Sequence, residues 1–346
     1  VDPAGLRRLL DLIDRFAKAR VAIFGDLLAD EFIYGEIARV SREAPVLILN
    51  YSATQIVPGG AGNAASNVSA LGGRAAAVGV AGTDEAGSRL LETMTRTIDV
   101  RGIVRPNGYV TPRKTRILAG GIHSAKQQVV RIDRTADSRL TERSLRAVES
   151  RLMAAAARCD ALLVSDYGSG LVTPALVAAA RKRMPLRLAS LAQGRRSTAP
   201  VLVDSRYLLL KFRGMTACTP NESEVEQLFG VRIGENRRVL ETCGRALLDR
   251  TRAQAVLVTR GSRGMALFER QRPTRHIPIF GSDQIADVTG AGDTVIATMT
   301  LALAAGATFE EAARLANYAG GIVVMKRGTA TVSAGELRHA VESDRG

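Results

Sequence analysis

The sequence predicts a doubly wound α/β fold, a mainly parallel sheet with helices on both faces, carrying a small β-sheet lid. Three observations predict it. Short apolar runs stop abruptly at glycine or aspartate: Val21–Phe24 meets Gly25-Asp26, and similar runs recur at Ala161–Val164, Val201–Val203 and Ala255–Val258. Continuous apolar runs are the mark of parallel strands buried on both faces. Helical segments such as Leu145–Ala157 and Val239–Arg250 precede such runs, and strands alternating with helices build a parallel sheet. Two β-rich stretches then break the rhythm and supply the second sheet.

Along the chain, Leu9, Leu10, Ile13 and Phe16 place one apolar face on an opening helix over Leu6–Ala19, as the 3.6-residue period requires. The first strand follows. Residues 31–57, with Phe32, Ile33, Tyr34, Val46, Ile48 and Tyr51, are β-rich and lack a helix. "PGGAGNAASNVSALGG" then opens a small-residue helix. Residues 109–133 read as a hairpin with Gly120-Gly121 near its turn. These two excursions read either as a lid over an active site or as a pair of surface hairpins. The stretch Leu186–Ala199, rich in Arg, Ser, Ala and Gln, interrupts a helix-to-strand connection and is expected as a surface insertion. The expected organisation is a single domain over residues 1–346, with 31–57 and 109–133 as inserted lid segments.

Composition bounds the function. The 346 residues carry 48 Lys+Arg against 34 Asp+Glu, a net charge of +14, with 46% hydrophobic and 24% charged residues, which is globular composition. No apolar run reaches the roughly 18 residues of a membrane span, and no signal-peptide core is present at the N-terminus. Cys159, Cys218 and Cys243 lie far apart without a C-x-x-C, which argues against a disulfide scaffold or cysteine zinc site. A soluble, cytoplasmic protein is expected, without membrane partners. The cations are dispersed arginines, Trp is absent and aromatics are 4%, so a base-stacking surface for nucleic acid is poorly supplied. Small anionic substrates fit the charge at least as well as nucleic acid does, and the arginine content also fits a bias of genome composition.

Four clusters carry chemistry. In "DVTGAGDT", Gly290, Ala291 and Gly292 lead into an apolar helix running to about Ala305. Glycines at a helix start let N–H groups approach an anion, and the helix dipole favours negative charge there. Asp293, on that first turn, is either a general base beside the anion hole or a helix cap. In the second cluster, Gly60, Gly62 and Ala65 match G-x-G-x-x-A with Asp84 downstream, but that dinucleotide fingerprint belongs after the first strand of a βαβ unit. Gly59, Gly60, Asn63 and Asn67 better suit a polyhydroxylated ligand. In "TPNESE", Asn221 and Glu224 share one helical face, either as oxygen ligands for a hydrated Mg²⁺ or as a cap and first-turn acid. In "LVTRGSRGMALF", Thr259, Arg260, Gly261 and Gly264 form a strand-to-strand turn, either a nucleotide contact or a plain hairpin turn. P-loop, protein-kinase, G-x-S-x-G and H-E-x-x-H motifs are all absent.

In this order the motifs resemble the ribokinase (PfkB) superfamily of carbohydrate kinases, over Val21 to about Leu337. The resemblance implies Asp293 as base, Gly290–Gly292 as anion hole, and Asn221 with Glu224 tied to Mg²⁺ and ATP. It implies nucleotide contacts at Thr259–Gly264 and Asn317, and a monovalent cation such as K⁺ near Asp287 and Thr289. Within the superfamily, "RVSREAPV", "KTRIL", "QQVVRID" and "SDYGSG" are similar to the heptose 7-phosphate kinases of lipopolysaccharide precursor synthesis. That likeness implies ATP-dependent phosphorylation of the anomeric hydroxyl, with Asp30, Asn63 and Asp166 on the sugar hydroxyls. Ser169 stands where those kinases carry lysine, and Asp204-Ser205-Arg206 where they carry Asp-Pro-Lys. Lys114, Arg116, Arg131 and Arg206 are the candidates for the substrate's distal phosphate. A homodimer paired through the lid strands is expected.

Overall fold

The computed structural model describes residues 3–120, 126–135, 140–188, 196–281, 287–326 and 328–344. The predicted turn glycine Gly121 lies outside them. Strands are β1 (Arg20–Gly25), β2 (Leu27–Val40), β3 (Leu47–Gly60), β4 (Arg74–Val80), β5 (Asp99–Val104), β6 (Arg113–Gly120) and β7 (Gln127–Arg134). They continue with β8 (Ala161–Asp166), β9 (Leu186–Leu188), β10 (Arg196–Thr198), β11 (Val201–Ser205), β12 (Ala217–Cys218), β13 (Ala255–Thr259), β14 (Met265–Glu269) and β15 (Arg275–Ile277). The helices are α1 (Pro3–Arg15), α2 (Ala61–Ala70), α3 (Glu85–Met94), α4 (Glu142–Ala156) and α5 (Pro174–Arg183). After them come α6 (Glu222–Phe229), α7 (Arg237–Thr251), α8 (Ala291–Ala304), α9 (Phe309–Val324) and α10 (Ala334–Ser343).

The main sheet has nine strands in the order β15-β14-β13-β12-β11-β8-β1-β4-β5. From β13 to β5 every pairing is parallel, and β14 and β15 extend one edge antiparallel. The apolar runs are its centre: β8 is buried at all six positions and β1 at all but Arg20. One core layer packs α1, α2, α8, α9 and α10 on the sheet, and α4, α5 and α7 fill the other face. No described helix is long and apolar enough to cross a membrane.

Helix starts follow their side chains. Thr173 caps α5 just before Pro174, and Asn221, Thr308 and Ser333 form reciprocal capping boxes with Glu224, Glu311 and Glu336. Asp84, the acidic residue of the apparent dinucleotide fingerprint, caps α3 and accepts from the Thr111 hydroxyl at 2.6 Å. It holds a turn, as the reading against a dinucleotide site expects.

The two β excursions form one four-stranded sheet, β3-β2-β6-β7, in which β2 and β6 run parallel. Its strands start earlier than the composition indicates, at Leu27, because Leu27 and Leu28 continue the buried run after β1. The expected insertion is shorter than its predicted span. β9 and β10 pair only with each other, but Ala199 is fully buried and its N–H donates to Pro185 O. That end belongs to the core.

Candidate active site

Starting from β1, the main sheet grows one way through β4 and β5 and the other way through β8 and β11. Ligands bind outside the carboxyl ends of strands at such a reversal. There Asp26 follows β1 and accepts from the N–H groups of Tyr167 (2.8 Å) and Ser169 (3.2 Å), and from the Ser169 hydroxyl. Burial raises the pKa of Asp26 above the ordinary carboxylate value. Asp166, which ends β8, accepts from Gly168 N–H (3.0 Å) and the Ser205 hydroxyl (2.6 Å). Two buried carboxylates therefore pin the loop Tyr167–Ser169. Asp166, predicted as a sugar contact, has one oxygen on this loop and the other on Ser205 of β11.

The helix α8 brings its first turn to the same point. Gly290 has φ 79°, and a Cβ there would lie 2.5 Å from Asn63 Nδ2, so glycine is required on both counts. Gly60, with φ 57°, likewise leaves the small sheet and starts α2, where a Cβ would meet Asp26 O at 2.5 Å. That start buries Asn63 against α8. Asp293 is buried and does not cap its helix. Its carboxylate accepts from Asn63 Nδ2 at 2.8 Å and from the Tyr167 hydroxyl at 3.2 Å. Burial pushes its pKa up to about 7; hydrogen bonds from Asn63 and Tyr167 and the Lys114 charge pull down, and Asp30 pushes up. Such a carboxylate can accept a proton near neutral pH. The first-turn N–H groups of Gly292 and Asp293 have no partner within the helix. A Cβ on Gly292 would meet nothing within 4 Å. The turn is open to an anion.

Two cavities meet here. One, of about 310 Å³, is lined by Gly261, Gly264, Met265, Ala291, Asn317 and Gly321 among others. The second, of about 220 Å³, is lined by Tyr167, Asp204, Arg206, Glu224 and Asp293. Asn221, Thr259 and Gly292 line both. A β-bridge joins Asn221 to Thr259, whose N–H donates to Pro220 O at 3.0 Å. The first cavity is mostly apolar and runs beside Gly264, which suits a nucleoside. The junction by Gly292 suits phosphates.

Asn221 and Glu224 occupy the junction as the capping box, with Glu224 Oε2 accepting from Asn221 N–H at 3.0 Å. Burial raises the pKa of Glu224. Burial and then the Glu224 charge raise that of Asp204 well above the ordinary range, and the Thr219 hydroxyl, also on this cavity, is buried without a partner. Two like-charged carboxylates beside an unpartnered hydroxyl fit a hydrated Mg²⁺. Asp287 holds its own loop, accepting from Thr289 N–H (2.9 Å) and Gly328 N–H (3.1 Å). The Thr329 hydroxyl beside it is buried without a partner, an oxygen that suits a cation.

Other predicted residues are placed differently. The Arg260 guanidinium does not line the nucleoside cavity: it is bound to Glu222 Oε2 (2.6 Å) and Gly234 O (2.7 Å). Asn317 donates to Pro278 O at 2.9 Å and so fixes the cavity wall. On the small sheet, period-2 alternation puts Asp30, Lys114 and Arg116 on the face toward the site. Asp30, with Gly59 against it, accepts from Arg116 at 2.6 Å, and Arg131 forks onto Asp133 at 2.7 and 2.6 Å. Arg116 and Arg131 are thus already paired. The Lys114 ammonium lies 4.7 Å from the centre of the Tyr167 ring; burial first, then Arg131 and Arg206, lowers its pKa. Arg206 is exposed, at the mouth of the second cavity.

Tyr167 and Asp204 are the residues that sequence reading leaves out. Each follows or ends an apolar strand run, which was the available signal.

This fold, with an anion-binding helix start and a buried carboxylate beside two joined cavities, defines a class. The chain belongs to the pfkB family of carbohydrate kinases, whose profile matches residues 18–334. More particularly, it is 39% identical to the bifunctional protein HldE of Geobacter sulfurreducens, over 91% of this chain and 61% of that protein. It is also 39% identical to the HldE of Alcanivorax borkumensis, over 96% of this chain and 66% of that one. The chain spans just under two thirds of these relatives' length. Phosphofructokinase-2 from Escherichia coli in complex with potassium has the same fold, with a TM-score of 0.73, 20% identity, and 94% and 98% of the two chains covered. Ribokinase of Arabidopsis thaliana complexed with ribose and ATP aligns with a TM-score of 0.68 at 18% identity, covering 94% and 99%.

Proposed function

We propose that this carbohydrate kinase transfers the γ-phosphoryl of ATP to the anomeric hydroxyl of a heptose 7-phosphate, giving a heptose 1,7-bisphosphate for lipopolysaccharide precursor synthesis. The observation that carries the reading is the Asp293 carboxylate, held at about 7 beside an open helix start where two cavities join. The heptose half rests on the likeness to HldE proteins and on the cations around the second cavity.

In this reading the nucleoside occupies the larger cavity, walled by Gly264 and Asn317, and its phosphates run past Asn221 and Thr259 to Gly292. The sugar lies between Asp293 and the small sheet, with Asp30 and Asn63 on its hydroxyls. Asp293 accepts the proton of the attacking hydroxyl as the oxygen–phosphorus bond forms and the bond to ADP breaks. The N–H groups of Gly292 and Asp293 stabilise charge on the transferring oxygens. Asp204 and Glu224 would hold Mg²⁺, which when bound neutralises phosphate charge; Asp287, Thr289 and Thr329 surround the site proposed for K⁺. Arg116 and Arg131 are already paired, so Lys114 and Arg206 face the distal phosphate. The small sheet closes as a lid and excludes water. Its outer face exposes Val40, Leu47, Tyr51 and Val130, an apolar patch of the kind that marks an interface; we assign it to a homodimer. The test is ATP consumption across a panel of sugars and sugar phosphates with NMR of the product. Turnover confined to other sugars would overturn the heptose assignment.

A further inference from the structure

We propose that Tyr167 is a positioning residue of the phosphoryl transfer: its hydroxyl holds the Asp293 carboxylate while its ring carries the Lys114 ammonium of the lid, so one side chain sets base and lid together. The proposal rests on the reading of Asp293 as base. Three observations support it. The two Asp293 oxygens are held separately, Oδ2 by Asn63 Nδ2 at 2.8 Å and Oδ1 by the Tyr167 hydroxyl at 3.2 Å. Asn63 comes from α2 and Tyr167 from the loop after β8, so the carboxylate plane is fixed from two elements other than its own helix. The Tyr167 backbone is itself fixed, its N–H donating to Asp26 at 2.8 Å. Finally, Lys114 reaches from the small sheet onto this loop, with its ammonium 4.7 Å from the Tyr167 ring centre.

A phenol suits both tasks. Its O–H donates to a carboxylate, and its ring face attracts an ammonium. By donating to the charged form, it favours the ionised Asp293 needed to accept a proton. The groups facing Asp293 are Asn63 from α2, Tyr167 itself, Asp30 and Lys114 from the small sheet, and Asp204 from β11. Burial and Asp30 disfavour the ion, so the donors decide whether it forms.

The experiment compares wild type with Tyr167→Phe, Tyr167→Leu and Asp293→Asn, using ATP and heptose 7-phosphate. Tyr167→Phe keeps the ring and loses the donor. Its kcat should fall roughly tenfold to a hundredfold, the scale of one hydrogen bond to a charged group, with both KM values little changed. The acidic limb of its kcat profile should move to higher pH. Carboxyl ¹³C NMR of aspartate-labelled protein, with the Asp293 signal assigned by its loss in Asp293→Asn, should show the same upward displacement without any sugar. Tyr167→Leu also removes the ring, so it should add a raised KM for the sugar phosphate. A folded Tyr167→Phe with wild-type kcat and an undisplaced Asp293 signal overturns the proposal. Should that variant not fold, replacing tyrosine by 3-fluorotyrosine strengthens the donor without changing shape. The Asp293 midpoint must then move down, and a fixed midpoint equally overturns the proposal. If Asp293→Asn itself keeps normal turnover, the base reading fails instead, and the NMR displacement still reports separately on the Tyr167 contact.

Discussion

At the scale of single residues, the buried carboxylate of Asp293 links activity to stability. Its folded pKa of about 7 stands above the ordinary value of 3.8, so the folded protein holds this proton more tightly than the unfolded chain does. Ionising it inside the fold costs stability, and that cost appears as pH rises from about 4 through 7. Asp293→Asn keeps the shape, so its kcat should drop by roughly 10²–10⁴-fold while ATP binding, followed by calorimetry, persists. The same variant should melt higher than wild type at pH 8 and at nearly the same temperature at pH 4. Equal melting at both values would mean that the carboxylate is not strained by burial. Wild-type kcat should fall as pH drops through about 7, as the base becomes protonated. Arg206→Ala should cost about 1.5–3 kcal/mol in kcat/KM toward heptose 7-phosphate, the range for bonds to charged groups, and little toward unphosphorylated heptose. Equal losses on both would place the phosphate elsewhere. The chemistry of these residues was partly legible. "DVTGAGDT" gives the hole and the carboxylate three residues apart, because both belong to one helical turn. Tyr167 was not legible as a partner of Asp293, since 126 residues separate them and only the folded sheet brings them together.

Elements were legible where local pattern and burial agree. The runs at β1, β8, β11 and β13 read as strands because both of their faces are covered, whereas β4, "RAAAVGV", is alanine-rich and gives little signal although its last four residues are all buried. The capping box at Asn221 shows the opposite case: one pattern served two readings, and the observed hydrogen bonds are those of the cap. Two expected outcomes belong to this scale. Joining residue 187 to residue 198 by a short turn removes β9–β10 but keeps Ala199 and the Pro200 carbonyl, which accepts from Leu162 N–H at 2.9 Å. Melting temperature and kcat should stay near wild type, because closure entropy depends weakly on loop length. Extending the deletion through Ala199 should unfold the protein, a contrast that thermal denaturation reads directly. On the small sheet, Leu47→Asp and Tyr51→Asp should turn the proposed dimer into a monomer in sedimentation experiments, since both side chains lie on its exposed apolar face. A persistent dimer would move the interface off that face.

For the molecule as a whole, charge and topology act together. A net charge of +14 attracts anionic substrates over distances that salt screens. KM for a sugar phosphate should therefore rise between about 50 and 500 mM NaCl, while KM for the neutral sugar stays nearly flat; parallel curves would assign the charge no part in capture. The sheet reversal at β1 and β8 puts every candidate group at one end of the strands, which the alternation of strands and helices implies and which no single motif contains. The helix α8 is buried along almost its whole length, and its hydroxyls are satisfied by its own carbonyls: Thr298 Oγ1 donates to Thr294 O and Thr300 Oγ1 to Ile296 O. The proposed base and anion hole are thus two points on one rod. Inserting a single residue between Gly290 and Asp293 would swing the carboxylate about 100° around the rod axis and separate the two functions at once. Descendants of this chain can therefore change their sugar only through parts that slide independently of the rod, the small sheet and the loops after β8 and β11. Divergence in substrate should accumulate there, while the distance from hole to base stays frozen.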